Sequence, residues 1–249
     1  MVRAAALLAA ALLLAVYSLV AERLPSVDDW WDVLVLAAGV IPLTFVLVWL
    51  AVPVARLGSL RIGLAALVLV LLALATSAAE LELAANFCKL AAAALLGWWA
   101  LSFFEESWWA ALIAVLIVPV DLYSVARGPT REITENRPEV FDALSIFMRL
   151  PGEASAAQLG LPDVLFFALF LGACVRFGLR PRATWVAMTA SFGATLALAV
   201  ALGEAGIAAL PLLSLAFLVV NGDRIWDEIR AAREPSAEED DGPRAPGSG

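Results

Sequence analysis

Two aspartates stand in surroundings where charge is rare. Asp121 closes the run from Trp108 to Val120, which carries no charge, and the next charge after it is Arg127. Asp163 stands about four residues into a second apolar run, counted from Leu159. An ionised side chain near the bilayer centre costs at least ~3 kcal/mol, so such a group is expected to be paired or functional. Two carboxylates held close together in a low-dielectric site cannot both ionise, so they share one proton. The ionised member can take a proton from water while the protonated member donates to a carbonyl oxygen. That pair can hydrolyse an amide without histidine, metal or serine. Few other hydrolytic chemistries are open. The chain has no histidine, which excludes Ser-His and Cys-His nucleophiles, a His-ligated zinc and an H-E-x-x-H site. Cys88 and Cys174 lie far apart and form no C-x-x-C pair. A net charge of −8 argues against nucleic acid as a partner.

The elements that must position these acids are membrane helices. Of 249 residues 63% are apolar and only 16% charged, with a mean hydropathy of +0.90. One globular core cannot hide that excess, so lipid is expected to be the solvent for most of the chain. The pattern reads as an all-α bundle of eight spans, roughly 4–20, 33–54, 62–79, 84–104, 108–126, 159–178, 184–203 and 206–221, with room for a ninth in the Ala-rich stretch 62–104. Glu105-Glu106-Ser107 joins the fourth and fifth spans as a tight helical hairpin. Trp30, Trp31 and Trp49 bracket the second span, and Trp98, Trp99, Trp108 and Trp109 bracket that hairpin, as interfacial indoles do. The first span reads as a retained helix rather than a signal peptide, because no clear small-x-small site precedes Glu22-Arg23-Leu24-Pro25.

With this map Asp121 lies ~7 Å and Asp163 ~6 Å below one face, at ~1.5 Å per helical residue. The loop 126–160 joins their helices, so both acids approach the same face at matched depth. Asp163 has a structural reading as well: in Gly160-Leu161-Pro162-Asp163 a proline and an acid in the first turn mark an ordinary helix start. Lys89, about five residues into its span, is expected to snorkel to the surface. Glu204, beside Gly203 and Gly206, reads as a boundary residue. The tail 234–249 is acidic, rich in Pro, Gly and Ser, and expected to be disordered. There is no internal repeat, which weakens an inverted-repeat transporter.

Three segments carry a resemblance. Val118-Pro119-Val120-Asp121-Leu122-Tyr123-Ser124-Val125-Ala126-Arg127-Gly128-Pro129 resembles the Y-D-x-x-x-V…G-P segment of the presenilin and signal-peptide-peptidase family of intramembrane aspartyl proteases. Leu159-Gly160-Leu161-Pro162-Asp163 resembles that family's L-G-x-G-D motif, and Ala208-Ala209-Leu210-Pro211-Leu212 its P-A-L-P motif. The resemblance covers about 108–222, in the family's order. It departs at Val120, where the family has tyrosine, at Pro162, where it has the second glycine, and at Ala208, where it has the first proline. Pro162 also removes an N–H and fixes φ before the second acid. The chain is therefore similar to a divergent, prokaryotic-like member of the family.

The resemblance implies a presenilin-like bundle of eight or nine helices: residues 1–107 a scaffold, 108–222 the core with both acids, 223–249 the tail. It implies an endopeptidase that cuts transmembrane-helix substrates within the bilayer, with Asp121 and Asp163 catalytic. Gly160, Leu161, Pro162, Ala209, Leu210 and Pro211 would contact substrate, and neither cofactor nor metal would be needed. Unwinding a substrate helix exposes backbone groups that lipid cannot satisfy. The enzyme must offer partners, as strand pairing does. Leu144–Pro151 reads equally as such a strand or as an interfacial amphipathic helix. The excess of arginine at the face of Arg56, Arg61, Arg176, Arg180 and Arg182 and the tail places both termini in the cytoplasm of a cell-membrane protein. Two other readings stay open: a catalytically impaired relative that binds membrane helices, and a proton-coupled transporter.

Overall fold

The computed structural model describes residues 2–127, 138–153, 155–203 and 208–233. Gly128-Pro129, Glu204 and the tail 234–249 lie outside the described residues. Helix α1 spans Val2–Val20. Next come α2 (Asp29–Val35), a π-helical stretch (Leu36–Val40) and α3 (Ile41–Ala51). These three run on as one rod, and the wide turn immediately precedes Pro42. A proline inside a helix has no N–H to give and its ring collides with the carbonyl four residues back, so the turn widens to admit it. Helices α4 (Ser59–Ala78), α5 (Glu82–Leu101) and α6 (Ser107–Arg127) follow. The short α7 (Pro138–Ala143) leads into strands β1 (Ser145–Arg149) and β2 (Ala156–Gly160). The chain closes with α8 (Leu161–Arg176), α9 (Pro181–Leu202) and α10 (Leu210–Arg233).

Among the described residues six helical stretches are long and apolar enough to cross a membrane: Val2–Arg23, Asp29–Arg56, Ser59–Ala78, Glu82–Leu101, Ser107–Ser124 and Pro181–Leu202. Helix α4 shows the kind of surface such a helix presents. Leu60, Leu64, Leu67, Val68, Leu71 and Leu74 are all more than half exposed on it, a stripe too large and apolar for water. Helix α8 has 16 residues, or ~24 Å, which is short of the ~30 Å hydrocarbon core. It need not meet lipid at all. Val164, Phe167, Ala168, Leu169, Phe170, Leu171 and Ala173 are buried, and α8 packs against α5, α6, α9 and α10.

The packing around α8 is close. Phe45 stacks on Phe167 with ring centroids 3.8 Å apart, and Phe170 on Phe217 at 4.6 Å. A Cβ placed on Gly97 of α5 would collide with the Leu165 carbonyl, so the two backbones touch there. Such close approach is how helices associate when lipid offers no hydrophobic contrast.

Several expectations are corrected. The stretch 62–104 holds two helices and no third. Helices α5 and α6 are joined by a short turn but do not form a packed pair: α5 lies on α4 and α8, and α6 on α10. Trp98 is not interfacial. It is 2% exposed, and its indole N–H donates to the Ala168 carbonyl at 2.9 Å. The last-but-two helix begins at Leu161 rather than 159, because the residues before it are a strand. Between strand and amphipathic helix for Leu144–Pro151, the structure has the strand.

Polar groups collect at the two ends of the bundle. At one end Tyr17, Asn86, Lys89 and the β-hairpin interlock. At the other Ser107 pairs with Glu228, Arg176 donates to the Leu101 carbonyl, and Arg180 pairs with Asp223. Buried Asn221 is satisfied on three sides there, by Arg180 N–H, Thr184 Oγ1 and the Phe217 carbonyl.

Candidate functional site

The hairpin decides where the second acid stands. Strands β1 and β2 are antiparallel, in the register Ser145↔Gly160, Ile146↔Leu159, Phe147↔Gln158, Met148↔Ala157 and Arg149↔Ala156. The ladder runs one step further, with the Leu161 N–H donating to the Leu144 carbonyl at 2.8 Å. Leu161 is therefore at once the last rung of the sheet and the first residue of α8. Gly160 is the N-cap, with extended backbone at φ −63° and ψ 139°. Pro162 follows in the first turn, where a missing N–H costs nothing. Asp163 is the third helical residue.

A carboxylate in the third helical position can reach back to the N-cap amide, and Asp163 does so. Its Oδ2 lies 3.0 Å from the point a Cβ on Gly160 would occupy, and the Gly160 amide faces the carboxyl. The helix-start reading of Asp163 is thus physically present. It is not the whole environment, because Asp121 also acts on Asp163 electrostatically.

Asp121 reaches the same place from α6, which packs along α10 and also touches α8. Pro119 lies inside α6 two residues before it and leaves the Val115 carbonyl without its helical donor. The Leu210 backbone N–H faces the Asp121 carboxyl. Leu210 opens α10, whose first closing bond runs from the Leu213 N–H to the Ala209 carbonyl at 3.1 Å. Its N–H is one of the amides a helix start leaves unpaired, and a carboxylate is its natural acceptor. Asp121 Oδ2 is buried with no hydrogen-bond partner. Leaving a carboxyl oxygen buried and unpaired is costly, and such groups concentrate where chemistry uses them.

The structure therefore brings together Asp121 from α6, Gly160 and Asp163 from the continuous β2–α8 junction, and Leu210 from α10, three segments distant in sequence. Leu161 is half-buried between sheet and helix, Pro162 is exposed, and Ala209 and Pro211 flank buried Leu210. Val120 is 64% exposed, so the position where the resembled family has tyrosine lies on the outer face of α6 here, away from the carboxyls.

The composition did not single out the residues that hold the hairpin. Lys89 does not snorkel. It is 7% exposed, and its Nζ donates to the Asp142 and Ser145 carbonyls at 2.8 and 3.0 Å. Asn86, one turn earlier, is bonded to Phe147. Tyr17 Oη donates to the Arg149 carbonyl at 2.9 Å, and the Gly152 N–H to the Ala21 carbonyl at 2.8 Å. Gly152 sits at φ +71°, and a Cβ there would strike the backbone of Leu24–Ser26, so only glycine fits this turn. Arg149 forms ion pairs with Glu22 and Glu82. The first helix is thereby part of the support for the hairpin. Asp32, left outside the second span by the sequence reading, lies inside α2, 6% exposed, with Oδ1 unpartnered. Among the described residues no group of three or more Cys, Asp or Glu side chains is placed to hold a metal ion.

No protein-family model matches the chain, and no curated protein matches it significantly.

Proposed function

We propose that the chain is an intramembrane aspartyl endopeptidase that hydrolyses peptide bonds in transmembrane helices, with Asp121 and Asp163 as the catalytic pair. The observation that carries this reading is the convergence of the two acids at one end of the bundle, with Asp121 Oδ2 buried and unpartnered. Two carboxyls sharing one proton supply both an acid and a base. The ionised one accepts a proton from the attacking water, whose oxygen bonds to the carbonyl carbon. The protonated one gives its proton to the carbonyl oxygen. The C–N bond of the tetrahedral species then breaks as the nitrogen takes a proton, leaving a carboxyl and an amine. Water is consumed and the acids return to one shared proton.

A helix is a poor substrate until it unwinds, and the hairpin supplies what an unwound segment lacks. The Leu161–Leu144 bond and the register place Leu144, Ile146 and Met148 in hydrogen-bonded pairs with β2. Ala156 and Gln158 then direct their backbone groups away from β1, by the alternation of an antiparallel pair. Among the described residues that row meets no partner strand; it leads to Gly160 and Asp163, and an incoming strand can add to it. In this reading α8 and the apolar first half of α10 join the six long helices as short spans, giving eight in a presenilin-like arrangement. The arginine-rich end and both termini face the cytoplasm of a cell membrane.

Cleavage of a single-span helix bearing a fluorophore and a quencher, co-reconstituted with the purified protein in phosphatidylcholine–phosphatidylglycerol vesicles, tests the proposal. Asp121→Asn and Asp163→Asn should each lower the rate at least ~100-fold, with the folded fraction unchanged. Retained cleavage in either variant rejects it. A second reading, a relative that binds helices without cutting them, is favoured by the capping of Gly160 by Asp163 and by Pro162. Stable capture of the reporter helix with no product from the unaltered chain would establish it.

A further inference from the structure

Strand β1 has two edges, and the one facing away from β2 is closed by side chains. Phe147 exchanges both backbone groups with Asn86: its N–H donates to Oδ1 at 3.1 Å and its carbonyl accepts from Nδ2 at 3.1 Å. A side-chain amide thus stands where another strand would. The Ser145 carbonyl accepts from Lys89 and the Arg149 carbonyl from Tyr17. Ser145, Phe147 and Arg149 share one parity, so these three contacts occupy the outward row of β1. Asn86 and Lys89 lie three residues apart on α5 and so present one face.

A buried cation is costly unless paired or solvated by dipoles. Lys89 meets two carbonyls, and the Phe147 ring lies 5.6 Å from its Nζ. A membrane protein gains nothing from this arrangement that a leucine would not provide more cheaply, unless the place of the hairpin matters. Helix α5 also carries Gly97, where its backbone touches α8 at Leu165. One rigid helix therefore grips both β1 and the helix that bears Asp163. Lys89 and Gly97 are eight residues apart, or ~12 Å along the axis.

We infer that Asn86 and Lys89 are positioning residues: they fix the tilt of the hairpin about its junction with α8 at Leu161, and so decide which peptide bond of a strand added to β2 comes to rest between the two aspartates. The inference rests on the protease reading. A strand that slips by two residues moves ~7 Å, which places a different bond at the acids. By closing β1, the same residues leave the β2 row as the edge open to substrate.

Mapping of the cut sites tests it, with the reporter helix above and mass spectrometry of the products. Asn86→Leu and Lys89→Met should spread cleavage to neighbouring bonds and lower kcat by about tenfold to a hundredfold, the upper figure being that of a misplacement of about 1 Å, while KM stays within about twofold. Lys89→Arg, which keeps the cation, should restore the original site. Asn86→Gln is the milder lesion, should the leucine variant not fold; it lengthens the amide by one methylene and should shift the site distribution in a folded protein. Unchanged sites and unchanged kcat in folded variants overturn the inference and leave the protease reading intact. Failure of all these variants to fold also overturns it, since the pair would then serve stability alone. Absence of cleavage by the unaltered chain overturns the protease reading and this inference with it.

Discussion

Asp163 Oδ2 rests 3.0 Å from the position a Cβ would occupy on Gly160, the residue that joins β2 to α8. The second acid of the pair is thereby held by the hinge between sheet and helix, and the missing side chain at Gly160 is what allows it. Gly160 has φ −63°, a value open to any residue, so the glycine is required here for space and not for conformation.

Gly160→Ala should therefore leave the fold almost unchanged but push the Asp163 carboxyl aside by a few tenths of an ångström. Reporter cleavage is expected to fall about tenfold, within the range set by small misplacements. The thermal midpoint in detergent should barely move. Full activity in the alanine variant would show that the carboxyl need not sit against Gly160.

Gly97→Ala acts on packing instead. The new methyl group meets the Leu165 carbonyl, which is backbone and cannot turn away. Helices α5 and α8 must separate along their length, through Trp98, which donates to Ala168. Overpacking of this kind costs about 1–3 kcal/mol. Denaturation in mixed micelles should show a loss of that size, against no loss for Gly222→Ala inside α10, where a Cβ meets nothing.

At the opposite end Arg180 forms a two-pronged pair with Asp223, at 2.7 and 2.5 Å. The hydrogen bonds from Arg180 hold the Asp223 carboxyl below its ordinary range, and the same bonds raise Arg180. A depressed carboxyl stabilises the folded chain above its unfolded value of about 4. That contribution is lost as pH falls through the lower folded value. The unaltered protein should thus lose more thermal stability than Asp223→Asn between about pH 5 and pH 2.5. The two curves should converge at the acid limit. Parallel curves would show that the pair adds nothing, as exposed ion pairs sometimes do.

The sequence by itself determined that this chain is a helical bundle for lipid, because hydropathy is summed along the chain and needs no knowledge of neighbours. It determined that Asp121 and Asp163 are anomalous, since charge in apolar runs is costly wherever the runs pack. It also determined their common face, since one loop joins their helices. Which side of each helix is buried was settled only by tertiary structure. In water a polar stripe marks the outer face of a helix, whereas in lipid both faces are apolar and that contrast is gone. For this reason Trp98 reads as interfacial yet is core, and α5 and α6 read as a pair yet part. Lys89 was misplaced for a related reason. Its partners are the backbone carbonyls of Asp142 and Ser145, more than fifty residues away, and a backbone carbonyl has no side-chain signature by which a sequence can announce it.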